Sequence, residues 1–285
     1  MGFQVLRMEN IKENSAAPPI GAGELEVTVL GSGTSQGVPI IGETYPDSYL
    51  ANPRNHRTRP SVLVRSPETS IVIDTTPEFR IQCLRESIRH LDGVFVTHAH
   101  ADHIMGMDDC RRFCDHKTGV PFPVYASEPT HQQLRIVFGY AFANDNVPVG
   151  YFKPDARTVE NAFEFRDLSV EPVWLPHGRV TCTGYLFKHG NRKVFGYLTD
   201  CKEVPEEAIE QVAGVDVVIL DALRFREHPT HMCFDEALTA ARRIGARETY
   251  FTHLTHDYDH DLHQNELPPG VHLAWDGLRI RAGMA

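Results

Sequence analysis

The chain has 285 residues, 41% of them hydrophobic, and a formal net charge of -10 at neutral pH. That length and apolar content suit one large α/β domain with a sizeable core. The acidic balance excludes broad coating of nucleic acid, which needs clustered Lys and Arg, so no stable nucleic-acid complex is expected.

No apolar run approaches the ~18 residues of a membrane span, so no membrane partner is expected. Residues 1 to 23 include ENSAAPPIGAG and read as a loose leader without a signal peptide's apolar centre. Residues 24 to 285 read as the folded domain. The six cysteines, Cys83, Cys110, Cys114, Cys182, Cys201 and Cys233, form no CxxC pair. Reduced thiols and a cytoplasmic location follow as expectations. Cys110 and Cys114 are spaced to share a helix face and read as core packing.

In chain order, the first strands are LEVTVLG (25 to 31), SVLVRS (61 to 66) and SIVIDT (70 to 75), each short, β-branched and bounded by Gly, Pro or Ser. PEFRIQCLRESIRH follows as a helix opened by Pro77, then GVFVTH as a buried strand. DHIMGMDDCRRFCDH reads as one helix and SEPTHQQLRIVFGYAF as another, with Ser127 its cap. LSVEPVWLPH opens a second β-rich half, and TGYLFKHGNRKVFGYLTD is a hairpin turning at HGNR. Next come the helix VPEEAIEQVAG, the buried strand VDVVILDAL, the helix CFDEALTAARRIG stopped by Gly245, the strand ETYFTH and a closing strand VHLAWDGLRI. Two similar halves of strands followed by helices predict two packed sheets with helices outside, a four-layer αββα domain.

The densest chemistry is in FVTHAHADH, residues 95 to 103. His98 and His100, two apart in extended chain, point the same way. Asp102 and His103 then begin a helix. Imidazole and carboxylate together suit divalent ions. WLPHG, FGYLTD and YFTH place His177, Asp200 and His253 at further strand ends. Singly each is a bland surface or capping residue; four strand ends terminating in donors form a pattern.

HxHxDH followed by a His, an Asp and a His resembles the metallo-β-lactamase-fold hydrolases. VLGSGTSQGVP resembles their phosphodiesterase branch, which includes the tRNA 3'-processing endonucleases and the phosphoribosyl cyclic phosphate phosphodiesterases. DALRFREHPTHMCFDEAL and FTHLTHDYDH are most similar to the latter. The resemblance covers roughly residues 25 to 280. It implies two divalent metal ions (Zn or Mn, with Fe an alternative). One would be held by His98, His100 and His177, the other by Asp102, His103 and His253, with Asp200 bridging. It also implies hydrolysis of a small phosphate diester, a cyclic one foremost, by attack of a metal-bridging hydroxide. Asp102, beside its ligand role, and His231 are the catalytic candidates, His231 as general acid with His228 its competitor. A homodimer is compatible with this reading.

GSGTSQGVP follows a strand and could offer backbone N–H groups to a phosphate. Ser32, Thr34 and Ser35, with His228, are therefore the substrate-binding candidates. Arg54, Arg57 and Arg59 either meet phosphate or are solvated. The family's Cys-rich structural-zinc loop is not matched: Glu43, Tyr45 and Ser48 stand near the expected cysteines, and only His256 remains. Packing or hydrogen bonds should hold that loop instead. The rival activities are a thioester hydrolase of the glyoxalase II type and a tRNA 3'-processing endonuclease. The endonuclease needs a long basic arm, and no such insertion is found.

Overall fold

Period-2 alternation sorts the strand residues onto two faces. Val27 and Val29, Ile71 and Ile73, and Phe95 pack on one side, with Val170, Phe187, Val217 and Ile219 of later strands. The residues between them, Leu30, Val72, Val94 and Val96, pack on the other side with Phe79, Leu134 and Phe138. Val218 and Leu220 pack with Ala208, Ile209, Ala237 and Ile244 in a third cluster. One core thus lies between two sheets and two lie under outer helices, which gives the four-layer αββα arrangement expected from the sequence.

The computed structural model describes residues 19–114, 120–142 and 150–284. The first sheet contains β1 (Leu25–Gly31), β2 (Ser61–Arg65), β3 (Ser70–Ile73), β4 (Gly93–Phe95), β5 (Phe122–Ala126) and β6 (Pro154–Thr158). The second runs through β7 (Phe163–Phe165), β8 (Leu168–His177), β9 (Val180–His189), β10 (Arg192–Leu198), β11 (Val217–Asp221), β12 (Glu248–Thr252) and β13 (Val271–Leu273). β14 (Arg279–Ala282) returns to the first sheet and pairs antiparallel with β1. The helices are α1 (Asp47–Ala51), α2 (Phe79–Arg85), α3 (Ala101–Ile104), α4 (Glu128–Val137), α5 (Gly139–Phe142), α6 (Glu206–Val212), α7 (Phe234–Ile244) and α8 (His260–Gln264). Among the described residues, no helix is long and apolar enough to cross a membrane. The expected leader lies outside the described residues up to residue 18.

Four expected elements differ. The helix from Asp102 to His116 stops at Ile104, because the His103 carbonyl accepts from Thr75 N–H at 2.7 Å. Gly106 follows with its N–H on the Thr75 carbonyl, so close that a Cβ would lie 2.0 Å from the Thr76 oxygen. The chain resumes as a 3-10 helix over Met107–Arg112, so Cys110 and Cys114 do not share an α-helical face, although both are buried. Asp115 and His116 lie outside the described residues. The helix from Pro77 starts at Phe79 and ends at Arg85, where Ser87 turns left-handed and Ile88 N–H closes on the Cys83 carbonyl at 2.8 Å. The third helix breaks into α4 and α5 at Phe138. Finally, VHLAWDGLRI is two strands in different sheets, divided by a turn over Trp275–Leu278.

Phe95 is central to the inter-sheet core, with ring centroids of Tyr125, Tyr185, Phe163 and Phe165 between 5.0 and 5.6 Å away. Phe95→Ala should destabilise the domain by about 3–5 kcal/mol in denaturant melts, whereas a change at exposed Ile136 should stay within about 0.5 kcal/mol.

Candidate metal centre

The site lies where strands of both sheets end. The segment after β4 carries His98, and His100 is the N-cap of α3, which contains Asp102 and His103. His177 is the last residue of β8. Asp200 lies two residues beyond β10 and His253 one beyond β12. Asp200 and His253 have left-handed backbones (φ 53° and 61°), as does Asp74 (φ 63°) just after β3. For residues other than Gly, such conformations cost of order 1–3 kcal/mol and persist when the surroundings over-determine them.

Asp200 is the centre. Its Oδ2 lies 3.3 Å from the Nε2 atoms of His103 and His253, and 3.9 Å from those of His98 and His177. Asp102 Oδ2 lies 3.3 Å from His103 Nε2 and 3.5 Å from His253 Nε2. Two donor sets result, His98 with His100 and His177, and Asp102 with His103, Asp200 and His253; within each, all donor atoms fall within 4.8 Å of one another. The seven residues named from the resemblance thus lie together, and two overlapping groups, His177 with Asp200 and His231, and Asp221 with His231 and His253, meet the same distance.

The donors fit divalent cations. Nε2 of His103 and of His253 is buried without a hydrogen-bond partner. His100 Nδ1 lies 2.8 Å from His98 Nε2 and 3.2 Å from His177 Nε2. Imidazole lone pairs that converge in this way repel one another unless a proton or a cation lies between them.

An outer ring orients most of these histidines. His103 Nδ1 meets Asp74 Oδ2 at 2.6 Å, and Thr97 N–H and its hydroxyl each donate to Asp74 at 2.8 Å. His98 Nδ1 meets the Thr97 hydroxyl at 3.0 Å, and His177 Nδ1 donates to the Thr230 carbonyl at 2.9 Å. His231 Nδ1 donates to Asp221 Oδ2 at 2.9 Å, while its Nε2 lies 4.0 Å from Asp200. The sequence reading missed Asp74 and Asp221. Their signal is present: both directly follow apolar runs, SIVI and VVIL, as the candidate donors do.

Burial and charge set the protonation states. Burial disfavours an imidazolium at His98, and neighbouring His103 adds to this, so His98 is held well below the usual histidine value. Burial also opposes charge on His103, but Asp200, Asp102 and Asp74 outweigh it and raise it well above. Asp200 is held well below the carboxylate range, because the attraction of His103 and His253 exceeds the burial penalty. For His231 the burial penalty is overcome by Asp221, which pushes it up to about 9.

The substrate candidates separate. Ser32 N–H and hydroxyl both donate to Asp276 Oδ1, at 2.9 and 3.0 Å, so this side chain is committed to the fold. Thr34 is buried and its N–H donates to the Leu254 carbonyl, beside His253. Ser35 is exposed at the tip. His228 is half-buried, with its ring 5.1 Å from that of His231. The arginines are not simply solvated. Arg57 is 1% exposed and donates to the Tyr258 carbonyl at 3.3 Å, Arg59 pairs with Glu78, and Arg54 lies over Trp275. The loop after GVP is anchored by Tyr45, stacked on Tyr49 and edge-on to His256. Asn55 accepts from His260 N–H at 2.7 Å and donates to the Tyr49 carbonyl at 3.1 Å.

Residues 69–254 match the model of the β-lactamase superfamily domain. An octanoyltransferase of Porphyromonas gingivalis is 35% identical over 259 residues, 88% of this chain and 50% of that protein. An exodeoxyribonuclease YycJ of Bacillus anthracis is 25% identical over 187 residues, 60% of this chain and 65% of that protein. The chain therefore spans between half and two thirds of the length of these relatives. A crystal structure described as a new diphosphatase from the PhnP family superposes with a TM-score of 0.82 at 39% identity, covering 90% of this chain and 97% of that one. With two sheets between helices, donors at the strand ends and most of its length matched by the family model, the chain belongs to the β-lactamase superfamily.

Proposed function

We propose that the domain is a metal-dependent hydrolase that cleaves a small phosphate diester, a cyclic one foremost, with two divalent cations. The observation that carries this reading is the division of seven donors into two sets joined at Asp200, with His231 beside them. Cations held by His98, His100 and His177, and by Asp102, His103 and His253, would activate water and neutralise charge on phosphoryl oxygens. Asp200, in the second set and 3.9 Å from His98 and His177 of the first, would supply the negative charge that offsets repulsion between two like cations.

The remaining demand is on the leaving group. His231 donates Nδ1–H to Asp221, so a second proton on Nε2 faces the cluster. From there it can be handed to a departing alkoxide, and His231 recovers a proton from solvent. His228 and Ser35, at the rim, are the candidates for contact with substrate. A diphosphate is the second reading, favoured by the 39% identical structure described as a diphosphatase. Its departing phosphate is a weaker base than an alkoxide and depends less on His231.

Elemental analysis of gently purified protein should give two ions per chain, and Asp200→Ala should lower occupancy of both sets. A fully active Asp200→Ala protein holding one ion would remove the bridging role.

His231→Ala should slow hydrolysis of a cyclic or alkyl diester by about 10²- to 10⁴-fold. It should affect bis(p-nitrophenyl) phosphate much less, with metal content unchanged. The same leaving-group pattern in His228→Ala alone would transfer the role to His228. Because Asp221 raises the His231 pKa, the acid form persists through neutral pH and is lost as pH climbs. Asp221→Asn should therefore move the alkaline limb of the rate profile to lower pH. A thioester turned over far faster than every diester would favour the glyoxalase II type of activity.

A further inference from the structure

Among the buried histidines of the site, His253 stands apart. His98, His103, His177 and His231 each have an outer partner on Nδ1. His253 has none: neither ring nitrogen makes a hydrogen bond. Its ring is set by stacking on His231 at 4.6 Å and by Asp102 and Asp200 on the site side, and on the outer side by its backbone, which is itself left-handed.

That backbone is clamped immediately afterwards. Leu254 N–H donates to the Ser32 carbonyl at 2.9 Å, and Thr34 N–H donates to the Leu254 carbonyl at 3.1 Å. The Gly-rich segment thus grips both sides of the residue after His253. What holds that segment is Asp276, in the turn between β13 and β14. Oδ1 accepts from Ser32 N–H and hydroxyl at 2.9 and 3.0 Å. Oδ2 accepts from Thr58 N–H at 2.9 Å, its hydroxyl at 2.5 Å and Arg85 at 3.2 Å. Thr58 also takes Gly33 N–H on its carbonyl at 2.8 Å. The Asp276 side chain is 9% exposed, and all five donors converge on its two oxygens.

We propose that Asp276 is a positioning residue for the metal centre, acting through Ser32 and Leu254 to fix His253. This rests on the two-cation reading of the site. It predicts an asymmetry: loss of Asp276 weakens the set containing His253 and spares the set of His98, His100 and His177, whose rings have their own outer partners or face one another.

Asp276→Asn is the test, because the amide keeps the size but accepts on one atom only. Either orientation points an NH2 at donors. Removing an outer partner typically weakens metal binding by about 10- to 100-fold. Chelator competition on wild type should give two affinities. In Asp276→Asn one should fall by about 10- to 100-fold, and the other should match the single ion left in His253→Ala. Asp167→Asn is the control for general loss of stability. Asp167 binds the Ser66 and Thr69 hydroxyls near the start of β8, at the end away from His177. It should lower Tm and leave both affinities unchanged. Should Asp276→Asn fail to fold, Ser32→Ala combined with Thr58→Val removes two of the five bonds and should shift the same affinity less far. A lowered Tm with both affinities intact, or an equal fall in both, overturns the proposal. Fewer than two ions in wild type overturns the two-cation reading itself.

Discussion

Four carboxylates, those of Asp74, Asp102, Asp200 and Asp221, lie within the strand-end region at 8% exposure or less. Burying each charge costs several kcal/mol unless opposite charge and hydrogen bonds compensate it. Much of the molecule is arranged to meet that demand. Imidazoles from two sheets surround Asp200, Thr97 donates twice to Asp74, and Cys201 N–H and His231 both donate to Asp221. The histidines near Asp200 cannot all be cationic, since they repel one another as well. His98 stays neutral while His103 takes charge. Divalent cations resolve this conflict better than protons do, because one ion replaces several protons and is shared by several donors.

The sheets supply the precision that this arrangement requires. Strands packed on both faces have little freedom to shift, since a one-residue slip would exchange the side chains of two differently shaped cores. The residues just beyond the strands inherit that fixity. They still need backbone turns that aim the donors inward, which is where the left-handed residues occur. Glycine would adopt the same angles freely but would bring no ligand.

The parts legible in sequence were those with local signatures. β1 to β4 and β11 follow from β-branched runs, α7 from its periodicity and Gly245, and the cluster of donors from HxHxDH with three later strand ends. What was not legible depends on contacts between distant residues. Nothing in the pattern after His103 tells that Thr75 takes its carbonyl and ends the helix. Asp276 looks like an ordinary turn residue until Ser32, 244 positions earlier, donates to it. Arg57 reads as either a phosphate contact or a solvated side chain until its buried place at the Tyr258 carbonyl is known. Asp74 and Asp221 have the same cue as the candidate donors, but one carboxylate after one apolar run is too common a pattern to single out. β5 contains Pro123 and β6 opens on Pro154, which weakens a strand signal that pairing supplies.

The pairing of β14 with β1 sets a timetable for synthesis. A ribosome delivers Leu25–Gly31 more than two hundred residues before the partner strand Arg279–Ala282. Until then one edge of the first sheet offers open N–H and C=O groups, the kind of surface on which chains add to one another. β2 can cover the other side of β1 early, but closure waits for the final turn. The nascent protein therefore needs that edge protected for the whole interval until Arg279–Ala282 emerges.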